Sequence, residues 1–233
     1  MSKKLFKNLL ALMLSFVMAF GGASSIFAYD GAYGEHYGGF VQNYDEAMAF
    51  GDIVVSTGNV AIQTNRGSTS VAHSFMIMPD GTLWGWGSNW QGQLGDGTNI
   101  SHQAPIKIMD NVAMVSAGSN YTMAITADGT LWGWGQNWFG NLGDGTSTGR
   151  YSPVHIMDNV AMVSAGVRHT MAITTDGSLW GWGNNSVGQI GDGTTTDRHS
   201  PVWIASGVAT VSVGDDYTMA ITNDGNLWGW GSN

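Results

Sequence analysis

The sequence predicts an all-β fold built from repeated four-stranded sheets. The first observation is the motif Leu-Trp-Gly-Trp-Gly, which begins at Leu83, Leu131, Leu179 and Leu227, so that successive copies are equally spaced to the residue. A constant period of roughly 20–50 residues is typical of repeat architectures. The second observation is an Asp-Gly pair shortly before each copy of the motif. Asp-Gly between two strands is a strong hairpin signal, so each repeat is predicted to contain at least one β-hairpin.

The residues before the repeats carry an export signal. Residues 1–28 contain three lysines, then an apolar run, then small residues ending at Ala28, which is the pattern of a secretory signal peptide. The apolar run is too short to span a bilayer comfortably. We expect cleavage near Ala28 and a secreted or cell-surface location, as for an exported bacterial protein. Residues 29–50 are rich in Tyr, Gly and acids and are interpreted as an irregular leader, so the repeats occupy 51–233.

Composition excludes several classes of function. Residues 1–28 hold three of the eight basic residues and none of the acids, so their removal changes the formal charge from −9 to −12. That charge opposes binding to phosphate backbones, and we expect no nucleic-acid partner. The absence of Cys excludes disulfides and thiolate metal sites. We expect no cofactor, no metal and no membrane span in the mature chain.

The first repeat departs from the later ones. Residues 52–63 are rich in β-formers and divide at 57–59, which predicts two short strands. Residues 65–70 are polar, although the corresponding part of later repeats is an apolar strand. The regular pattern begins at about His73.

One repeat can be followed in full from Val112 to Asp158, and it predicts four strands. They are an apolar strand at 112–116, a second at 122–126, the tryptophan strand at 131–135 after the Asp128-Gly129 turn, and an outer strand at 153–157 after a glycine-rich loop at 142–146. Pro153 lacks an amide donor, so its place at the start of the last strand indicates a sheet edge. Four strands per unit, repeated radially, is the arrangement of a β-propeller blade.

The tryptophan strand has two unlike faces. Side chains alternate along a strand, so Trp84 and Trp86 share one face while Leu83 and the glycines share the other. We expect the blades to stack through this difference, with the indoles of one sheet lying on the strand glycines of the next. Burial of the indoles would then stabilise the stack.

Three linked motifs carry a family resemblance. The segments Val163–Ile173, Asp176–Asn185 and Gly188–Gly193 read Val-Ser-Ala-Gly-x-x-His-Thr-Met-Ala-Ile, Asp-Gly-x-Leu-Trp-Gly-Trp-Gly-x-Asn and Gly-Gln-Ile-Gly-Asp-Gly. This combination resembles the regulator of chromosome condensation repeat, over about 72–233. The resemblance implies a β-propeller, typically of seven blades, that acts as an interaction scaffold. It does not carry over nuclear exchange-factor activity, because this chain has an export signal and an acidic mature composition.

The blade count falls short of that expectation. Four hairpin units are present, and the sequence stops at Asn233 before the next glycine-rich loop. We therefore expect about four repeat units that form an incomplete propeller or an open arc. The alternatives are a closed four-bladed ring, or an arrangement in which the N-terminal strands supply the missing outer strand.

The sequence contains no recognisable catalytic motif, and we expect the protein not to be an enzyme. His199 and Ser200 are interpreted as loop residues before Pro201, because adjacent residues rarely orient each other as base and nucleophile. The Gly-Asp-Gly-Thr loops contain one acid each, at Asp96, Asp144 and Asp192. Calcium binding is an alternative there, but turn formation explains these single carboxylates adequately.

One aromatic position recurs once in every repeat and alternates between imidazole and phenol. Its members are His73, Tyr121, His169 and Tyr217. Such side chains could line the axial opening of a propeller, or they could pack at the strand entry and hydrogen-bond to the neighbouring blade. We favour the structural role. We call these four residues the ring position.

Residues that vary between otherwise identical repeats are the candidate binding residues. Before the ring position they include Asn120, Arg168 and Asp216, and after the tryptophan strand they include Trp90, Trp138 and Phe139. Aromatic anchors on loops of a rigid scaffold are typical of binding surfaces. The alternative is that these rings fold back over the blade edge.

The sequence therefore favours a non-catalytic, exported β-propeller that binds a protein or a cell-surface component through its blade loops. One alternative is a secreted enzyme inhibitor, because propellers of this repeat type are similar to bacterial β-lactamase-inhibitor proteins. Others are a glycan-binding or glycan-cleaving surface protein and a structural arm of a larger assembly. Self-association through open blade faces is a further expectation.

Overall fold

The computed structural model describes the backbone of 55–57 and 60–65 and all of 73–232, and every regular element in these residues is a strand. These residues belong to one compact unit, 52–233. The predicted signal peptide, 1–28, and leader, 29–50, lie outside the described residues. The strands are β1 Val55–Thr57, β2 Val60–Asn65, β3 His73–Ile77, β4 Leu83–Gly87, β5 His102–Met109, β6 Val112–Ala117, β7 Tyr121–Thr126, β8 Leu131–Gly135, β9 Arg150–Met157, β10 Val160–Ala165, β11 His169–Thr174, β12 Leu179–Gly183, β13 Arg198–Ala205, β14 Val208–Val213, β15 Tyr217–Thr222 and β16 Leu227–Gly231.

The strands form four antiparallel sheets in chain order, which we call blades 1 to 4. Blade 1 contains β1–β5, blade 2 contains β6–β9, blade 3 contains β10–β13 and blade 4 contains β14–β16. Neighbouring blades pack through β3 and β6, β7 and β10, and β11 and β14. Among the described strands no comparable packing joins blade 4 to blade 1. The blades therefore form an open arc, as the sequence predicted.

Each blade contains a tight hairpin at its Asp-Gly pair, as predicted. In blade 2, Gly129 has a φ of 84°, a conformation that glycine adopts at little steric cost. The Asp128 carboxylate accepts hydrogen bonds from the Thr126 hydroxyl at 2.6 Å and the Thr130 amide at 3.2 Å. These bonds, that from Thr126 foremost, lower the pKa of Asp128. The turn is thus held by its own aspartate.

The N-terminal strands belong to blade 1. Strand β2 pairs with β3, with Asn65 opposite His73, and β1 pairs with β2. The two predicted short strands are therefore present, but the idea that they complete blade 4 is wrong. Seven residues separate β2 from β3, against three between β6 and β7. The apolar segment 60–65 has replaced the polar segment 65–70 as the inner strand.

The outer strands begin earlier than predicted. In blade 2 the strand β9 starts at Arg150, three residues before Pro153. Gly133 lies opposite Val154 and Gly135 lies opposite Arg150, so the register shifts between these pairs. Pro153 falls within this bulge, where a ladder hydrogen bond is not required. The proline thus marks an edge strand without starting it.

The two faces of the tryptophan strand enter different apolar clusters. Trp134 lies between blades 1 and 2 with Phe75 and Leu83, whereas Leu131 lies between blades 2 and 3 with Val163 and other residues. The same division is repeated between blades 3 and 4, where Trp230 packs on Leu179. The predicted alternation of faces is therefore present. Each interface joins the indole side of one blade to the leucine side of the blade before it.

The glycine that receives the indole is not the one we predicted. A Cβ added to Gly95, in the loop after β4, would lie 2.7 Å from the indole of Trp134, and Gly143 has the same relation to Trp182 at 2.8 Å. The strand glycine Gly85 is instead covered by Phe75 of its own blade, at 2.7 Å. The prediction was wrong because Gly85 faces the side chain opposite it on the adjacent strand. The glycine-rich loop is the segment that reaches the next blade.

Candidate binding surface

The loops that follow the tryptophan strands are held by a buried asparagine. In blade 2 the Asn137 side chain donates to Asp144 at 2.9 Å and to the carbonyl of Thr146 at 3.1 Å. Its oxygen accepts the amide of Leu142 at 2.9 Å. Asn89 and Asn185 make the corresponding contacts in blades 1 and 3. Sequence reasoning missed this residue, although its recurrence once per repeat was visible.

The loop aspartates are fully engaged in the same network. Both oxygens of Asp192 are used, since Oδ1 accepts from Asn185 and Thr194 and Oδ2 accepts from Arg198 at 2.6 Å. Burial raises the pKa of this carboxyl, but the hydrogen bonds from Thr194 and Arg198 outweigh it and hold the pKa at about 2. Asp144 pairs with Arg150 and Asp96 with His102 in the same way. Among residues 73–232 no three acidic or histidine side chains form a cluster that could hold a metal ion.

Two tryptophans stand on these rigid loops with most of their surface in solvent. Trp90 is 69% exposed and Trp138 is 64% exposed, although each directly follows a buried asparagine. The alternative, in which the rings fold back over the blade edge, does not describe Trp90 and Trp138, whereas Phe139 is half-buried. A large apolar ring held in water by a well-bonded loop is available to a partner.

The loops of neighbouring blades meet at the junction between blades 2 and 3. The guanidinium carbon of Arg168, in the β10–β11 loop, lies 5.3 Å from the ring centre of Phe139, in the loop after β8. This distance is within the range of a cation–π interaction. The structure thus brings together two candidate binding residues that are far apart in sequence. Because Phe139 directly follows Trp138 in the chain, the Arg168 side chain lies against the loop that carries the exposed Trp138 indole.

The other two junctions carry different side chains at the position of Arg168. Asp216, between blades 3 and 4, accepts a hydrogen bond from Gln189 at 3.4 Å. Asn120, between blades 1 and 2, is half-buried, and its side-chain oxygen has no hydrogen-bond partner in the described part of the chain. The three junctions therefore present a neutral, a cationic and an anionic side chain in turn. Such variation at equivalent positions is expected of side chains that do not determine blade packing and are therefore free to determine binding specificity.

The ring position makes hydrogen bonds from each blade to the next. The Tyr121 phenol donates to the carbonyl of His169 at 2.7 Å and lies 2.8 Å from the Thr170 hydroxyl. His73 and His169 contact the hydroxyls of Thr122 and Thr218 at 3.3 and 2.9 Å. His73, Tyr121 and His169 are buried, and burial lowers the pKa of His169 to about 4 and raises that of Tyr121. These contacts join blades, which is the structural role favoured for this position.

An exposed aromatic on an outer strand was missed. Trp203 of β13 is 55% exposed and lies opposite Trp180. The available signal was that a tryptophan occupies the position held by Lys107 and His155 in the earlier repeats. A tryptophan in place of a charged or polar residue on the edge strand makes the surface of blade 3 more apolar at this position than the surfaces of blades 1 and 2.

A stack of blades whose framework repeats and whose loop side chains vary defines a β-propeller repeat protein. The chain belongs to the regulator of chromosome condensation (RCC1) repeat family, because residues 80–125, 128–173 and 176–221 each match that repeat and together exceed half of the sequence. A second form of the repeat matches 112–141 and 160–189. The family membership expected from the three linked motifs is confirmed.

Named relatives share short segments with the chain. Mouse protein RCC2 is 39% identical over 71 residues, which is 29% of this chain and 14% of the relative. The ultraviolet-B receptor UVR8 of Arabidopsis thaliana is 36% identical over 58 residues, which is 23% of this chain and 13% of the relative. The chain therefore spans a small part of these relatives.

Solved structures share the fold over a longer stretch. Human WBSCR16 matches with a TM-score of 0.64 and 24% identity, over 74% of this chain and 47% of that one. Yeast RCC1 (Prp20), solved bound to Kap60, matches with a TM-score of 0.63 and 22% identity, over 76% of this chain and 45% of that one. The chain spans about half the length of these propellers. In the described residues no helix is long and apolar enough to cross a membrane.

Proposed function

We propose that this chain is a non-catalytic, exported β-propeller that binds a protein ligand, in solution or at the cell surface, through its blade loops. The proposed surface, which we call the loop surface, comprises Trp90, Trp138, Phe139 and Arg168. The observation that carries the proposal is the exposure of two tryptophans on loops that are fixed by buried asparagines. Rigid aromatic anchors lose little conformational entropy on binding and dominate the energetics of protein interfaces.

Two further observations support a protein ligand. Arg168 stacks on Phe139, and arginine is enriched with tryptophan among the residues that contribute most to interfaces. One structure with the same fold, yeast RCC1, contains a bound protein, Kap60. Export of the mature chain is supported by the signal-peptide pattern of residues 1–28.

The first test is a binding comparison between matched tryptophan variants. The mature chain is immobilised, envelope proteins of the source organism are passed over it, and the retained protein is identified and purified for titration calorimetry. We expect the Trp90→Ala/Trp138→Ala double variant to bind that protein at least tenfold more weakly. Trp203→Ala serves as control, because it removes an equally exposed indole from an outer strand. Equal affinity of all three proteins would reject the loop surface.

The same immobilised chain distinguishes the alternative functions. A class A β-lactamase and a set of cell-wall polysaccharides are passed over it as defined probes. Retention of the β-lactamase that is lost in Trp138→Ala would favour the inhibitor alternative instead. Retention of a polysaccharide with the same sensitivity would favour the glycan-binding alternative.

The export proposal has a separate test. The complete chain is expressed with a C-terminal tag, and the tagged protein is collected from the medium and the cell surface for intact-mass measurement. We expect a protein that lacks residues 1–28. A chain that keeps its lysine-rich start and stays in the cytoplasm would contradict export without affecting the loop surface.

A further inference from the structure

The junction between blades 2 and 3 presents an arginine that has no acidic partner. Residues 73–232 contain four lysine and arginine side chains, and three of them pair with aspartates. These pairs are Lys107–Asp110 at 2.8 Å, Arg150–Asp144 at 2.7 Å and Arg198–Asp192 at 2.6 Å. The fourth, Arg168, is exposed and pairs with no acidic side chain in this part of the chain. Acids outnumber lysines and arginines 17 to 8 in the sequence, so the unpaired guanidinium is available to a carboxylate from outside.

The Arg168 side chain is held in position before any ligand binds. Its guanidinium carbon lies 5.3 Å from the ring centre of Phe139, and stacking on a ring restricts the rotamers of a long side chain. The backbone on both sides of this contact is also fixed. The Arg168 carbonyl accepts the amide of Asn184 at 2.9 Å, and the Gly145 amide, in the loop after β8, donates to the His199 carbonyl of blade 3 at 2.9 Å. A cation that is already positioned loses less conformational entropy on binding.

The ring and the arginine occur together at one of the three described junctions. Gln91 and Asn120 occupy the same two positions between blades 1 and 2, and Val187 and Asp216 occupy them between blades 3 and 4. The blades pack at all three junctions, so packing does not require the aromatic and cationic pair. Blades 2 and 3 each have a described blade on both sides. The exposure of Arg168 therefore does not depend on where the described residues begin or end.

The chemistry of the junction selects a carboxylate beside an apolar group. A guanidinium offers paired N–H donors that match the two oxygens of a carboxylate, and Arg150 and Arg198 use theirs on aspartates within the chain. A polyanion such as a nucleic acid is disfavoured, because the formal charge is −9, or −12 without residues 1–28. The 64% exposed indole of Trp138 directly precedes Phe139 and supplies the apolar neighbour.

We propose that the protein ligand presents an aspartate or glutamate next to an apolar residue, with the carboxylate bound by Arg168 and the apolar side chain packed on Trp138. The inference rests on the proposed function, because it specifies the ligand chemistry of the loop surface. An ion pair that stays in solvent contributes little. A guanidinium that stacks on a ring and is covered by the ligand is shielded from water, which strengthens its hydrogen bonds to a carboxylate.

The first experiment uses random linear peptides displayed on phage as the probe, selected on the immobilised mature chain. We expect the selected peptides to be enriched in aspartate or glutamate next to an aliphatic or aromatic residue. Selection on Arg168→Gln should keep the apolar residue and lose the enrichment in acids. Lys107→Gln is the matched control, because it removes the same charge from β5, outside the loop surface, and should keep the enrichment.

The second experiment measures the coupling between Arg168 and the acidic residue of the ligand. One selected peptide is synthesised with glutamate or with glutamine at its acidic position, and calorimetry measures its binding to the wild-type chain and to Arg168→Gln. We expect glutamine to weaken binding to the wild-type chain about tenfold, because it removes a charge-assisted hydrogen bond. The same change should alter binding to Arg168→Gln by less than about twofold.

The outcomes distinguish this inference from the proposed function. Peptides that require Trp138, but show no enrichment in acids or the same enrichment on Arg168→Gln, would overturn the carboxylate inference and leave the loop surface intact. An equal effect of glutamine on both proteins would overturn it in the same way. If Trp138→Ala weakens the binding of no selected peptide, the loop surface is rejected and this inference falls with it. Near-ultraviolet circular dichroism checks that each variant is folded.

Discussion

At the scale of single residues, His169 is a buried base without a charge partner. Its Nε2 contacts the Thr218 hydroxyl at 2.9 Å, while Nδ1 is buried with no hydrogen-bond partner in the described part of the chain. Burial lowers its pKa from 6.5 to about 4. The unfolded chain therefore takes up a proton at this residue at a higher pH than the folded chain does.

This difference predicts a loss of stability in mild acid. Well above pH 6.5 neither state is protonated at His169, and its contribution to stability is complete. As the pH falls, the unfolded state is protonated first, so the free energy of unfolding should drop by about 2 kcal/mol between pH 7.5 and pH 5 and by about 3 kcal/mol below pH 4. Urea unfolding at pH 7.5 and pH 5 measures the change.

The variant His169→Tyr should remove most of that pH dependence. Tyrosine is the residue found at the ring position in blades 2 and 4, and its phenol can reach the next blade as that of Tyr121 does. The wild-type chain, unfolded in urea at the same pH values, is the control. An unchanged slope in His169→Tyr would show that another group titrates.

At the scale of the element, the glycine-rich loop carries two glycines with the same backbone conformation and different surroundings. Gly143 has a φ of 82° and Gly145 has a φ of 81°. A Cβ at Gly143 would lie 2.8 Å from the Trp182 indole, whereas the nearest atom to a Cβ at Gly145 is the Ser200 hydroxyl at 3.6 Å. Substitution of each glycine in turn therefore separates the effect of backbone strain from the effect of contact with the next blade.

We predict that Gly143→Ala destabilises the protein more than Gly145→Ala does. Both substitutions carry the left-handed backbone penalty of about 1–2 kcal/mol, and Gly143→Ala adds an overpacking penalty of about 1–3 kcal/mol against a buried ring. The free energy of unfolding and the near-ultraviolet tryptophan signal measure the difference. Equal losses in the two variants would mean that the indole moves away without cost.

The tryptophan strands were predictable to the residue, because a fixed motif and a hairpin signal define both ends. Alternation alone also predicted that the two tryptophans of each strand share one face, but it did not indicate which neighbouring blade they contact. The loop glycine that contacts the indole could not be predicted. Alternation specifies which face of a strand an indole occupies, but it does not specify which segment of the neighbouring blade lies against that face. The Phe139–Arg168 contact was equally hidden, since nothing local relates residues on two different blades.

The start of blade 1 shows a different limit of sequence reasoning. The polar composition of 65–70 indicated a departure from the repeat, and two short strands were predicted from 52–63. That β2 takes the inner place in the blade depends on its pairing with β3, which is a long-range choice. The apolar segment 60–65 therefore forms the strand that the polar segment 65–70 would have supplied.

At the scale of the whole molecule, leucines at equivalent positions contribute differently to stability, depending on where their blade lies along the arc. Leu131 is fully buried between blades 2 and 3, and Leu227 is 63% exposed on blade 4. We predict that Leu131→Ala lowers the free energy of unfolding by about 2–5 kcal/mol. Leu227→Ala should change it by less than about 0.5 kcal/mol.

Urea unfolding of the two variants, compared with the wild-type chain, measures both changes. A large loss in Leu227→Ala would mean that this face of blade 4 is covered in solution. Comparable losses in the two variants would remove the distinction between interior and terminal blades.

The arc also has a consequence for how such chains vary in length. Every contact between blades joins an indole side to a leucine side, and the hydrogen bonds that accompany it recur at the interval of one repeat. Removal of one whole period would bring together two surfaces that already fit, and insertion of a period would create no new kind of contact. Duplication or deletion of complete units is therefore a change that this architecture can accept, whereas loss of part of a unit would leave a mismatched seam. The variable loops would be lost or gained with their blades, so a change in length would also alter the surface that these loops present.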